Sequence, residues 1–440
     1  MNASTKPSAT TASPAPATSR APATSRATAA WALAGLILLT VNLRAAITGI
    51  SPVLGELRDA FGLSGVGVSV LTTLPVLCLG VFASLAPVLA RRLGTEVAIA
   101  GSLIMITAGI LLRVVAYAPA LYIGTVLAGA GIAMGNVLMP AVIKRAFPRR
   151  VGSLTGVAMM LMAASGAIAA GLAVPLDHAG GWRLALAVWA VPSLAAALVW
   201  GPLALRGRTQ RRRTAEPADV PGTDPHRTDG TLLRSPLAWC VAAFMGLASL
   251  MFYVLMSWLP EMMQDAGYAP ATAGMMVSVM MIVGIPLGFL VPVFAARLRD
   301  QRAVVAAIGT VMIVGIGGML LAPSAGWVWT VTLGIGVGSA FPLAYTLLSL
   351  RSPSPSIAAR LSGMAQTGGY LLAGFGPLAA GVLHSATGGW DVSLVLLLAL
   401  IVPEMVFGLL AARPGYVRLG DGGPLVEAKQ IALPAPARTR

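Results

Sequence analysis

Long apolar segments separated by short polar loops constrain the fold of this chain more than any other feature of its sequence. A membrane-spanning α-helix needs about 20 predominantly apolar residues. Twelve segments reach that length: residues 30–53, 66–90, 97–117, 119–143, 153–176, 182–205, 235–260, 270–295, 303–322, 325–350, 358–384 and 390–412. The sequence therefore predicts an all-α integral membrane protein with twelve transmembrane helices.

Charge and cysteine usage exclude several other classes of protein. Only 10% of the 440 residues are charged, whereas a soluble domain carries about 25%. The net charge of +15 does not indicate nucleic-acid binding, because the basic residues cluster in loops between apolar segments. Both cysteines, Cys78 and Cys240, lie in apolar segments, and no group of His, Cys or acidic residues suggests a metal site or a catalytic centre. No nucleotide-binding glycine loop is present. The sequence thus predicts no cofactor and no enzyme.

The basic residues also predict the orientation in the bilayer. Nearly all Lys and Arg residues fall in alternate loops and in the two tails, and positively charged loops stay in the cytoplasm. The exceptions are Arg58 and Arg183, in the opposite loops, and Arg44 and Arg113, within apolar segments. We therefore expect a multi-pass inner-membrane protein with both termini in the cytoplasm.

The longest internal polar gap divides the chain into two halves. It is rich in Arg, Pro, Asp and Gly, which is typical of a flexible linker. The predicted parts are a disordered tail (1–29), an N-terminal six-helix bundle (30–205), a cytoplasmic linker (206–234), a C-terminal six-helix bundle (235–412) and a second tail (413–440).

The two halves repeat in sequence at an offset of about 205 residues. Pro87-Val-Leu-Ala-Arg-Arg-Leu93 matches Pro292-Val-Phe-Ala-Ala-Arg-Leu298, and Leu154-Thr-Gly156 matches Leu361-Ser-Gly363. An even number of helices in each half makes the two repeats parallel. Parallel repeats of this kind bind their substrate near the bilayer midplane, between the halves.

Several short strings, in the same order, resemble the cyanate/2-nitroimidazole permease family of the major facilitator superfamily. The strings are Asn42-Leu-Arg-Ala-Ala46, Leu71-Thr-Thr-Leu-Pro-Val-Leu77, Gly135-Asn-Val-Leu-Met-Pro140, Phe252-Tyr-Val-Leu255, Phe341-Pro-Leu-Ala344 and Gly369-Tyr-Leu-Leu372. The resemblance covers residues 30–413. It implies the major facilitator fold and a monomeric transporter of a small-molecule substrate in the lipid bilayer.

Two departures from the family pattern bear on the substrate and on gating. The family often has glutamines near positions occupied here by Ala248 and Val337, so the ligand of this chain is expected to differ or to be more apolar. The loop Arg91-Arg92-Leu93-Gly94 lacks the acidic residue of the general superfamily motif. We therefore expect closure of the inner side to depend less on an acid–base pair in that loop.

Arg44 is the residue that most directly indicates a binding site. It lies deep within the first apolar segment, where an arginine costs several kcal/mol unless it faces protein or water. Its repeat-mate is Ser249, so the charge is not part of the duplicated scaffold. One interpretation is an anchor for a small anion or a nitro or cyanate-like group, held by the guanidinium fork. The other is a buried arginine satisfied by backbone carbonyls.

The other predicted substrate contacts are polar or aromatic side chains near mid-span on helices of the resembling cavity. They are Asn42, Asn136, Tyr253, Phe341, Gln366 and Tyr370. A polar group buried without a partner costs a few kcal/mol, so each polar member binds either a ligand or a neighbouring helix. The aromatic members form either stacking faces for a ligand or ordinary packing.

Two further ionisable residues lie within apolar segments. Arg113 is near the outer end of the third segment, where it is expected to have a structural role and to reach the interface by snorkelling. Glu404 is the only acidic residue deep in a segment. It has either a structural role in the peripheral twelfth helix or a role in proton coupling.

The sequence therefore predicts a secondary active transporter that moves a small polar or anionic solute, cyanate-like or nitroimidazole-like, by alternating access. One alternative is a proton-coupled exporter of small drug-like compounds. Another, from a different class, is a membrane sensor or scaffold that transports nothing.

Overall fold

The structure, a computed structural model, describes residues 26–214 and 232–417. Within these residues all regular structure is helical. The N-terminal half contains α1 (Arg26–Thr48), α2 (Leu54–Phe61), α3 (Gly65–Ala83), α4 (Leu85–Leu93), α5 (Thr95–Arg113), α6 (Ala118–Ala146), α7 (Val151–Ala187) and α8 (Ala190–Thr214). The C-terminal half contains α9 (Pro236–Asp265), α10 (Pro270–Arg297), α11 (Arg302–Leu321), α12 (Gly326–Leu350), α13 (Pro355–Thr387) and α14 (Asp391–Ala411).

Every predicted apolar segment falls on a helix of the structure. The segment at 66–90 corresponds to two helices, α3 and α4, which meet at a bend of 51°. By length and apolar composition, nine helices of the described residues can cross a membrane, or ten when the bent pair counts as one span. One of the nine, Val151–Leu205, contains both α7 and α8. The count of twelve crossings therefore stays a prediction.

Some helices extend beyond the apolar segments that the sequence predicts. The sixth segment ends at residue 205, as does the apolar span in the structure, while helix α8 continues to Thr214. Helix α7 extends to Ala187 and has a break at Gly180 and Gly181. Gly181 has φ of 75°, a left-handed conformation that glycine adopts without steric cost. The predicted tails and linker lie largely outside the described residues, so the domain boundaries stay predictions.

The halves pack on each other through pairs of helices that the repeat relates. Helix α13 packs on α3 and α4, and α7 packs on α10. A β-carbon added at Gly363 would lie 2.7 Å from Pro87 Cγ, and one added at Gly156 would lie 2.6 Å from the Phe289 carbonyl oxygen. Gly363 and Gly156 are repeat-mates, so the same small residue allows close approach on both sides of the interface.

These close contacts lie toward one end of the molecule, which we call the basic end. It consists of the helix ends next to the arginine-rich loops, including those that follow α4 and α10. Gly156 is near the start of α7, and Gly363 is near the start of α13. The two halves are therefore packed against each other at the basic end.

Arg113 stabilises the end of α1 and does not reach an interface, contrary to the snorkelling prediction. Its side chain is only 1% exposed. Its Nη1 donates to the Ala46 carbonyl at 2.6 Å, and its Nε donates to Thr125 Oγ1 at 3.1 Å. The Ala46 carbonyl needs this donor because the Ile50 N–H, its helical partner, bonds to Ile47 instead. A cation at a helix C-terminus also complements the helix dipole.

Candidate functional site

Arg44 reaches from the N-terminal half to an aromatic ring of the C-terminal half. It projects from α1, and its guanidinium carbon lies 5.9 Å from the centre of the Phe252 ring on α9. A cation over an aromatic face at this distance is attracted by about 0.5 to 2 kcal/mol. Arg44 is therefore positioned between the halves.

A glycine on α7 makes room for the Arg44 side chain. A β-carbon added at Gly166 would lie 2.9 Å from Arg44 Cγ. The Thr48 hydroxyl, one turn along α1, donates to the Gly166 carbonyl at 3.0 Å. This contact fixes α1 against α7, so the stem of Arg44 passes over Gly166 toward the other half.

The guanidinium of Arg44 has no counter-charge in the part of the chain that the structure describes. No carboxylate pairs with it there, and no backbone carbonyl accepts a hydrogen bond from it. Its side chain is partly exposed. It lies near enough to Tyr253 and Tyr370 to interact with them electrostatically. This arrangement favours the anchor interpretation, whereas Arg113 is a buried structural arginine that donates to one backbone carbonyl and one hydroxyl.

Aromatic side chains of the C-terminal half form two neighbouring pairs in this region. Phe252 and Tyr253 meet edge to face, with ring centres 5.4 Å apart and planes at 81°. Phe341 and Tyr345 on α12 have ring centres 6.0 Å apart. Tyr370 interacts electrostatically with both Tyr253 and Tyr345. The predicted residues Tyr253, Phe341 and Tyr370 are thus brought together.

Gln366 and Asn136 lie on either side of Tyr345. The Gln366 amide donates to Ser362 Oγ at 2.6 Å, one turn earlier on α13, and the Gln366 side chain lies close to the Tyr345 hydroxyl. The Tyr345 hydroxyl donates to the backbone carbonyl of Asn136 on α6. The Asn136 side chain is 4% exposed, and its Oδ1 has no hydrogen-bond partner. A buried amide oxygen without a donor costs free energy, so a ligand donor at this position would be favourable.

The side-chain amide of Asn42 bonds within the N-terminal half, and its predicted role in substrate contact stays a prediction. Its amide donates to the Leu38 carbonyl at 2.7 Å and to the Pro192 carbonyl at 3.1 Å. Pro192 belongs to α8. Although Asn42 is only two residues from Arg44, those two positions point to different sides of a helix. Asn42 therefore joins two helices of the N-terminal half.

Glu404 is also separate from the Arg44 cluster. It lies on α14, which packs on α9 and α11 within the C-terminal half. The side chain is 4% exposed, and its Oε2 has no hydrogen-bond partner. A buried carboxyl oxygen without a partner is compatible with either role that the sequence leaves open.

Sequence reasoning missed Phe252 and Tyr345 as parts of the site. The sequence does contain a signal for each. Phe252 lies three residues after Ser249, the repeat-mate of Arg44, and Tyr345 lies four residues after Phe341. Residues three or four apart share a helix face. Phe252 therefore shares a face with Ser249, and Tyr345 shares a face with the predicted contact Phe341.

The cluster as a whole can bind a small planar group with negative charge or negatively polarised oxygens. A guanidinium offers parallel donors to such a group. The aromatic rings offer faces on which a conjugated ligand can stack. Helices of both halves contribute, so a ligand bound here would contact both.

Residues 36–377 match the Major Facilitator Superfamily. The chain is 38% identical to the uncharacterized transporter YycB of Bacillus subtilis (strain 168) over 391 residues, 88% of this chain and 94% of that one. It is 37% identical to the 2-nitroimidazole transporter of Escherichia coli (strain K12) over 387 residues, covering 88% and 96% of the two chains.

A third relative is the cyanate transport protein CynX of the same Escherichia coli strain, 30% identical over 358 residues, with 81% and 90% coverage. Among solved structures, the proton:xylose symporter XylE aligns with a TM-score of 0.69 over 88% of this chain and 97% of the symporter. At 13% identity, that alignment bears on the fold alone. The chain therefore belongs to the major facilitator superfamily, and within it to the group of transporters that includes the 2-nitroimidazole and cyanate transporters.

Proposed function

We propose that this chain is a secondary active transporter that moves a small polar or anionic solute across the inner membrane by alternating access. The observation that carries the proposal is the unpaired guanidinium of Arg44, partly exposed between the halves and facing Phe252. A charge at that depth costs several kcal/mol. An anionic or strongly polarised ligand offsets that cost. A purely structural role for Arg44 would leave the cost largely without compensation.

The solute class follows from the chemistry around Arg44. A guanidinium beside aromatic faces suits a small conjugated group with negatively charged or polarised oxygen atoms. Two relatives are transporters of 2-nitroimidazole and of cyanate, both small conjugated solutes. The positions where the family often has glutamine are occupied by Ala248 and Val337, which are 1% and 4% exposed. We therefore propose that the ligand is more apolar on those sides than the ligands of relatives that carry the glutamines.

The transport mechanism is the relative movement of the two halves about this site. The halves touch at the basic end, so access to the site from that side requires α7 and α10, and α3 and α13, to separate there. The basic end faces the cytoplasm in the orientation that the positive-inside rule gives. The protein acts as a monomer, since one chain supplies every element of the site.

Flux measurement in proteoliposomes tests the proposal. Purified protein is reconstituted, and uptake of radiolabelled cyanate and 2-nitroimidazole is measured with and without an imposed pH gradient. Saturable uptake that is absent from protein-free vesicles supports a transporter. Gradient-driven efflux of drug-like aromatic compounds, with no uptake of the small solutes, would favour the exporter. Absence of flux for every ligand that binds would favour the sensor or scaffold.

A further inference from the structure

A proline in α6 leaves one backbone carbonyl without its helical donor. Pro140 has no N–H, so the carbonyl of Asn136, four residues earlier, cannot form the usual helical hydrogen bond. The surroundings are dry, because Asn136 and the residues on both sides of it are buried. A buried carbonyl must find another donor or lose free energy. Here the donor is the hydroxyl of Tyr345, which belongs to α12 in the opposite half.

The same hydroxyl connects this bond to the candidate substrate site. The Tyr345 ring lies 6.0 Å, centre to centre, from that of Phe341, a predicted substrate contact, and Gln366 and Tyr370 lie close to the Tyr345 side chain. Tyr345 is 1% exposed, so water cannot take its place as donor. Tyr345 thus contacts both Phe341 of the candidate site and the Asn136 carbonyl of the N-terminal half.

Further bonds between α6 and α12 continue from Tyr345 toward the basic end. Ser349 Oγ lies 3.5 Å from the Pro140 carbonyl, one turn beyond Tyr345. At the end of the helices, Lys144 Nζ donates to the carbonyls of Ser349, at 2.7 Å, and of Ser352. The acceptors of Lys144 are backbone carbonyls near a helix C-terminus, which favour a cation. Of these bonds between α6 and α12, the one made by Tyr345 lies nearest to the candidate substrate site.

We propose that Tyr345 is a positioning residue that couples the substrate site to closure of the basic end. The inference rests on the proposed transport by alternating access. With the basic end closed, the Tyr345 hydroxyl supplies the donor that Pro140 cannot. When α6 and α12 separate, this bond breaks, and the Asn136 carbonyl becomes accessible to water or solute from the basic end. A solute that shifts Gln366 or Tyr370 changes the strength of that bond.

Distance measurement between the halves tests the proposal directly. Nitroxide labels are attached at Ala146→Cys on α6 and Ser356→Cys on α13, two exposed positions at the basic end. The background carries Cys78→Ala and Cys240→Ala. Double electron–electron resonance then gives the populations of closed and open basic ends. Tyr345→Phe removes the hydroxyl and keeps the ring, and we expect the open-to-closed ratio to rise about 3- to 10-fold.

A matched control lies on the same helix as Asn136. The Tyr122 hydroxyl donates to the Gly67 carbonyl at 3.0 Å, a bond that stays within the N-terminal half. Tyr122→Phe should leave the distance distribution as in the parent protein. Equal distributions for the parent, Tyr345→Phe and Tyr122→Phe would overturn the proposal.

A second variant separates coupling from a general loss of packing. Pro140→Ala restores a backbone N–H that can bond to the Asn136 carbonyl. In that background Tyr345→Phe should change the open-to-closed ratio by less than 2-fold, because the carbonyl no longer depends on the hydroxyl. An undiminished effect of Tyr345→Phe in the Pro140→Ala background would overturn the inference. The distances are measured without solute flux, so a failure of the proposed transport activity is recognised independently.

Discussion

The guanidinium of Arg44 on α1 lies over the ring of Phe252 on α9, 5.9 Å from its centre, and so joins the two halves of the molecule without an ion pair. Within the described residues no carboxylate neutralises this charge. An aromatic face attracts the guanidinium without neutralising its charge, so the guanidinium can still pair with an anion. The contact with Phe252 offsets part of the cost of an arginine at that depth.

Replacement of Phe252 should weaken ligand binding while leaving the charge in place. Phe252→Leu keeps an apolar side chain but removes the aromatic face, which contributes about 0.5 to 2 kcal/mol. We expect the dissociation constant of a small conjugated anion to rise about 2- to 30-fold. Phe252→Trp, which retains a face, serves as the control and should bind within a few-fold of the parent protein. Equal binding by the Leu and Trp variants would contradict the role of the ring.

The fit of Arg44 over α7 gives a prediction with a control on the same helix. Gly166→Ala places a methyl group against Arg44 Cγ, and overpacking of this kind costs about 1 to 3 kcal/mol. Displacement of the guanidinium should raise the ligand dissociation constant about 10-fold. Gly171→Ala, on the same helix with open space around it, should leave affinity unchanged. Isothermal titration calorimetry measures the ligand dissociation constant of each variant. Equal dissociation constants for Gly166→Ala and Gly171→Ala would refute the packing argument.

Glu404 gives a test of proton coupling. Glu404→Gln keeps the shape of the side chain but cannot exchange a proton. If Glu404 carries the coupling proton, solute uptake driven by a pH gradient should fall at least about 10-fold, whereas solute exchange without a gradient should persist. Glu261→Gln, at an exposed position of α9, is the control. Unchanged gradient-driven uptake by the Glu404 variant would assign this residue a structural role.

Arg113 should matter for stability and little for ligand affinity. Arg113→Gln removes the donor to the Ala46 carbonyl at the end of α1. Hydrogen bonds to charged groups contribute about 1.5 to 3 kcal/mol, so in a chain of this length the thermal midpoint should fall by about 2 to 3 °C. Arg183→Gln, at an exposed position, should change it little. A midpoint for Arg113→Gln equal to that of the Arg183 variant would show that the α1 contact contributes nothing to stability.

The helices and their division into two repeated halves could be predicted from the sequence because apolar length and internal repetition are properties of the chain itself. The matched pairs Pro87 with Pro292 and Gly156 with Gly363 fall at the contacts between halves that the structure shows. Helix ends were less predictable. Helix α8 continues into polar sequence up to Thr214, where apolar composition no longer marks the helix.

The site was only partly predictable because hydropathy does not say which way a polar side chain points. Asn42 and Arg44 are neighbours in sequence, yet Asn42 bonds to α8 while Arg44 faces α9. Arg113 was misplaced because its acceptor, the Ala46 carbonyl, becomes free only through the local geometry at the end of α1. Tyr345 was missed because its acceptor is backbone, and Pro140, which frees that carbonyl, lies in a different half of the chain.

The most direct test of the central claim is the affinity of purified protein for cyanate and for 2-nitroimidazole, measured by thermal shift on the parent protein, Arg44→Lys and Arg44→Ala. Loss of a charged hydrogen bond of about 1.5 to 3 kcal/mol predicts that Arg44→Ala binds the anion about 10- to 150-fold more weakly. Arg44→Lys should bind with intermediate affinity, because it keeps the charge but loses the planar fork. Undiminished binding of both ligands by Arg44→Ala would contradict the account.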